Sequence, residues 1–113
     1  MAAELDPREA EFQAQVAALR RHFLGELPDR RAALVAAWNA CADAGDEAPW
    51  LRLRDIAHKL SGSAPCYGLD AVGEAARELD RLLSGRSPCR TRAAAGAAVI
   101  SLTTVLDAAI VAA

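Results

Sequence analysis

Proline, glycine and aspartate divide this chain into stretches in which apolar residues recur at the helical period, and no stretch alternates as a strand would. Asp6-Pro7-Arg8-Glu9 is a helix start: a capping aspartate, a proline in the first turn and a glutamate three residues after the cap. Phe12, Val16, Leu19 and Phe23 follow on one stripe, which predicts a first helix over residues 8–24. Gly25-Glu26-Leu27-Pro28 is expected to break it, with Pro28 in the first turn of a second helix. Leu34, Ala37, Trp38 and Cys41 make the second stripe, and Gly45 is a natural stop. Asp46 and Pro49 open a third helix, which Pro65 should kink or close before Gly68 permits a turn. Leu69, Val72, Ala76, Leu79 and Leu83 form the next stripe, and Gly73 among them predicts close packing. Glu74, Arg77, Glu78 and Arg81 lie between as a solvated face. Ser84-Gly85-Arg86-Ser87-Pro88 reads as a loop, after which Thr91 can cap a last helix to about Val111.

Short connections put successive helices antiparallel. The expected fold is therefore all-α: an up-down-up-down four-helix bundle with a short extra N-terminal helix, as one domain of 113 residues. The last segment, residues 93–113, has only Asp107 as a charge and is long enough to span a bilayer. Its alanines contribute little transfer energy, and a mid-helix aspartate costs about 3 kcal/mol to insert. Val99, Leu102, Leu106 and Ile110 form an ordinary core stripe, so a bundle helix is the expectation.

Net charge is −2 and no basic stripe is present, which argues against a nucleic-acid surface. Cys41, Cys66 and Cys89 are odd in number and show no metal-ligand spacing, as in a reduced, cytoplasmic protein with inert thiols. The acidic, polar N-terminus does not read as a signal peptide.

Chemistry concentrates between Trp50 and Leu69. At about 100° per residue, Leu53, Ile56, Ala57, Leu60 and Ala64 fall within about 60° of one line, and His58 lies about 140° away from it. Arg54 stands one turn before His58, and Gly62 one turn after. A glycine costs a helix about 1 kcal/mol against alanine, so close approach of a partner beside His58 would explain it. Leu51 lies near the same meridian and extends the exposed face. His22 sits in no motif and reads as a surface residue.

The run His58-Lys59-Leu60-Ser61-Gly62-Ser63-Ala64, followed by Gly68-Leu69, resembles the signature of histidine-containing phosphotransfer (HPt) domains. His58, Leu60, Gly62, Ser63 and Gly68 match that pattern. The lysine usual three residues after the histidine is replaced by Ser61, and a lysine stands instead at Lys59. The resemblance implies a four-helix bundle that carries a phosphoryl group on His58 between receiver-domain aspartates in a phosphorelay. It implies Arg54, Lys59, Ser61 and Gly62 in support, and Leu51, Asp55 and Pro65 at the docking face. Partners would be receiver domains of response regulators, or of a hybrid sensor kinase. No metal or cofactor of its own is implied, because the Mg²⁺ belongs to the receiver. No nucleotide-binding glycine motif is present, so the chain is not expected to use ATP. Neither membrane nor nucleic acid is an expected partner, and its size and resemblance suggest a monomer. Two rivals are a helical adaptor that binds receivers without accepting phosphate, and the dimerising histidine domain of a sensor kinase.

Overall fold

The structure, a computed structural model, describes residues 6–113. They form four α-helices and one 3₁₀ turn, with no strand among the described residues: α1 (Pro7–Ala40), α2 (Glu47–Ser63), the 3₁₀ turn Ala64–Tyr67, α3 (Asp70–Leu83) and α4 (Arg92–Ala112).

The expected break at Gly25–Pro28 is absent, and with it the separate N-terminal helix: α1 is continuous for 34 residues. The reason lies in the register across the interruption. Phe23, Leu27, Leu34 and Ala37 keep one buried face through it, and Leu27 and Leu34 are wholly enclosed. Burying three large apolar side chains is worth roughly 6 kcal/mol, whereas an internal proline and glycine together cost about 4 kcal/mol. Pro28 sits on the exposed side, where its ring meets solvent rather than a neighbouring helix. Phe12, Val16 and Leu19 are not buried, because the first turns of α1 project beyond the other helices in a molecule 63 Å long and 28 × 21 Å across.

The core is a leucine seam. Leu53 and Leu60 of α2, Leu79 of α3, and Leu102 and Leu106 of α4 meet Leu27 and Leu34 of α1 with no accessible surface. α4 has the length and composition of a membrane span, yet Ala95, Val99, Leu102 and Leu106 face this seam. Its Asp107 accepts from the Arg31 guanidinium of α1.

Local chemistry fixes the ends. Asp6 Oδ1 accepts from the Arg8 amide and Thr91 Oγ1 from the Ala94 amide, the two side-chain N-caps. Asp46 begins α2 without a side-chain cap bond. α1 stops at Ala40, five residues before Gly45, and lacks a basic residue in its own last turn. Arg92 supplies that charge from α4: its Nη1 donates to the carbonyls of Trp38 (2.6 Å) and Cys41 (3.0 Å), with the guanidinium 4.1 Å from the centre of a Trp38 ring. Asp43 Oδ1 in turn accepts from the Arg92 amide at 2.8 Å.

Pro65 ends α2 in the 3₁₀ turn, and Gly68 takes the left-handed conformation (φ 77°) that reverses the chain into α3. Gly73 is where α3 meets this corner. A Cβ there would lie 2.6 Å from Pro65 Cγ and 2.9 Å from Cδ, distances that no real contact reaches. The proline ring is rigid, so helix separation must change. Gly73→Ala is expected to destabilise the fold by about 1–3 kcal/mol in urea unfolding, whereas Gly62→Ala, whose Cβ would meet nothing, should not. The thiols offer a second check. Cys41 is buried, donates to the Ala37 carbonyl at 3.2 Å, and has its pKa pushed up by burial, with Arg92 opposing weakly. Alkylation of the folded protein should label exposed Cys66 at once and Cys41 only on unfolding.

Candidate functional site: a solvent-facing histidine on α2

Leu53, Ala57 and Leu60 are buried on the inner face of α2, which fixes the helix phase. His58 is thereby turned outward, with 72% of its side chain exposed. Leu51, Arg54, Asp55 and His58 follow one another at helical spacing on that outer face and line an open depression of about 290 Å³.

The residue that defines the site comes from another helix. Asp80 of α3 places Oδ2 3.1 Å from His58 Nδ1, and its side chain is only 20% exposed. An ionised carboxylate can only accept, so in the neutral ring this contact favours the tautomer with the proton on Nδ1 and the lone pair on Nε2. Asp80 is itself held. Ser84 Oγ donates to its Oδ1 at 3.0 Å, and Arg54 Nε donates to Ser84 Oγ at 2.8 Å, 3.9 Å from the same carboxylate oxygen. His58, Asp80, Ser84 and Arg54 thus form one chain of hydrogen bonds between α2 and the end of α3.

The other sequence-predicted residues stand apart from the ring. Lys59 Nζ meets Asp55 Oδ2 at 3.1 Å, so each partly neutralises the other. Ser61 Oγ donates back to the His58 carbonyl at 2.7 Å rather than outward. Gly62 opens onto clear space beside His58. Pro65 is exposed at one edge, while its ring seats against Gly73. Arg54 points toward Ser84 and Asp80, not toward Nε2. Farther along α3, Arg81 and Glu78 pair at 2.6 Å, a contact the solvated-face reading did not include. That pair holds the Glu78 carboxyl below its usual range and raises the Arg81 guanidinium.

Sequence reasoning missed Asp80 and Ser84. Their one visible signal is the i, i+4 spacing of an acid and a hydroxyl beside the buried Leu79 and Leu83. Nothing in that spacing says which residue of α2 they face.

His58 thus stands open on the outer face of α2, with a carboxylate of α3 beside its Nδ1. The family model of the Hpt domain matches residues 18–112, and the chain belongs to that family. Hpt domains act in two-component phosphorelays and are phosphocarriers, not kinases. No curated protein and no solved structure matches the chain.

The Asp80 contact predicts a single tautomer for neutral His58. In ¹⁵N-resolved NMR the Nδ1–H form should dominate in the wild type. Asp80→Asn, whose side chain can also donate, should move the population toward Nε2–H while the amide spectrum of the core stays in place.

Proposed function

We propose that this chain is a histidine phosphotransfer protein in which His58 Nε2 takes a phosphoryl group from a receiver aspartate and passes it to another. The observation that carries the reading is the Asp80–Nδ1 contact on an otherwise open face, because in the neutral ring it favours a proton on Nδ1 and a lone pair on Nε2. In the forward step the N–P bond forms as the P–O bond of the acyl phosphate breaks, and the electron pair leaves with the receiver carboxylate. The ring then bears positive charge, which Asp80 partly balances. Transfer to the second receiver runs the same exchange in reverse. Catalysis is mostly positioning and charge stabilisation. Mg²⁺, bound in the receiver's own acidic pocket, supplies charge neutralisation at the phosphoryl oxygens.

The remaining residues support this role by position. Gly62 gives clearance, and Leu51, Asp55 and Pro65 offer the receiver a mixed apolar and polar edge. Arg54 is one turn from the ring, so release from Ser84 would let it reach a phosphoryl oxygen. Lys59 contributes steering charge reduced by Asp55. The carrier would work in the cytoplasm, on an antiparallel up-down-up-down bundle.

One observation favours a second reading, an adaptor that binds receivers without accepting phosphate. Ser61 and Lys59, at and beside the place of the family lysine, are both engaged elsewhere.

A panel of phosphorylated receiver domains separates the two. Acid-labile, alkali-stable label is expected on the wild type and none on His58→Gln. Asp80→Asn should transfer about tenfold more slowly, the scale typical of a lost orienting partner. Tight receiver binding with no label on the folded wild type would establish the adaptor.

A further inference from the structure

His58 and Asp80 belong to a longer seam along the rim of α2 and α3. Pro65 meets Gly73, His58 meets Asp80, and Arg54 meets Ser84. The same antiparallel register sets Ser61 of α2, four residues before Pro65, opposite Arg77 of α3, four residues after Gly73. At about 100° per residue, Gly73, Arg77 and Asp80 fall within about 60° of arc on α3, so Arg77 shares the face that carries Asp80.

This crossing differs from the other three. Ser61 Oγ turns back onto the His58 carbonyl and leaves the seam. Arg77 is exposed and, among the described residues, has no hydrogen bond from its side chain and no ion pair. The carboxylates within a turn of it are Glu74, Glu78 and Asp80. Glu78 holds Arg81, Asp80 is held by His58 and Ser84, and Glu74 forms no ion pair among the described residues. Arg54 is committed to Ser84, and Lys59 to Asp55. Of Arg54, Lys59, Arg77 and Arg81, only Arg77 can take a new anion without giving up a contact.

The reach fits as well. Arg77 precedes Asp80 by three residues, about 4.5 Å of helix rise, a gap shorter than an extended arginine side chain. Asp80 occupies the Nδ1 edge of the ring, so a group on Nε2 lies away from that carboxylate. The planar guanidinium offers paired donors that match phosphoryl oxygens.

We propose that Arg77 holds the phosphoryl group on His58, donating to its oxygens from α3 across the crossing that Ser61 leaves without a cation. The inference rests on the carrier reading of His58.

The phosphoryl group can be loaded without a receiver. Phosphoramidate transfers it to an imidazole and releases ammonia, and a His22→Gln background leaves His58 as the one acceptor, since the chain has two histidines. A nearby cation holds the second ionisation of the phosphoryl group down, so Arg77→Gln should raise that pKa, read from the ³¹P shift, by about half a unit. Melting should hold, because the side chain makes no polar contact. Ser61→Lys, which puts a cation on the other side of the same crossing, should bring the titration of Arg77→Gln back down. With a phosphorylated receiver as donor, Arg77→Gln should slow transfer at saturation about tenfold while receiver affinity holds. An unchanged ³¹P titration in Arg77→Gln overturns the proposal. So does a variant that loses receiver affinity but keeps its saturated rate, which would make Arg77 a docking residue, or a Ser61→Lys that restores nothing. If no receiver labels the wild type, the carrier reading fails, and the phosphoramidate titration still decides the role of Arg77.

Discussion

The contact between the Pro65 ring and the bare backbone of Gly73 sets how closely α3 approaches the end of α2, and the site is spaced from that contact. Seven residues back along α2 from Pro65 is His58, and seven forward along α3 from Gly73 is Asp80. Four more in each direction are Arg54 and Ser84. The three crossings share one register, so a change at the corner is felt at the histidine. Apolar packing does the holding: Leu53, Leu60 and Leu79 are fully enclosed between the two helices. The polar chain from Arg54 to His58 lies along the rim of that packing and is aligned by it. A one-turn slip would separate Asp80 from Nδ1 and carry Pro65 away from Gly73, so the glycine–proline fit acts together with the leucine packing to hold the alignment.

What the sequence made legible follows from what is local. Helical phase is local, and it turned His58 outward before any contact was known. Capping is local, and Asp6 and Thr91 cap as their residue types imply. The close packing at Gly73 was also readable, since an uncompensated glycine within a helix implies a neighbour; that the neighbour is Pro65 was not. Asp80 and Ser84 were invisible as site residues because cross-helix register depends on side-chain fit spread over the whole seam. The α1 misreading has a different origin. Gly25 and Pro28 are strong local breakers, but Leu27 between them keeps phase with Phe23 and Leu34, and its burial decides the outcome. The stripe of Phe12, Val16 and Leu19 shares the phase of Phe23 and yet stays exposed, because periodicity reports a face and not what covers it.

The replacement of the family lysine by Ser61 has a structural counterpart. The hydroxyl turns back onto the His58 carbonyl, so the helix absorbs it as a local bond. Arg54 is the cation on the same face, one turn earlier, and its guanidinium lies over Ser84 and Asp80. On α2 the charge near the ring has moved from the C-terminal side of the histidine to its N-terminal side, and it is ordered rather than free.

The distribution of contacts along the chain bears on the order in which it assembles. α2, the 3₁₀ corner and α3 lie within 37 residues of each other, and they can meet after closing only a short loop. α1 must find α4 across far greater separations, as in Arg31 with Asp107 or Trp38 with Arg92. Loop-closure entropy therefore favours a nucleus made of the α2–α3 hairpin, onto which α1 and α4 condense. The histidine and its carboxylate both belong to that hairpin, so their pairing draws on no contact from α1 or α4.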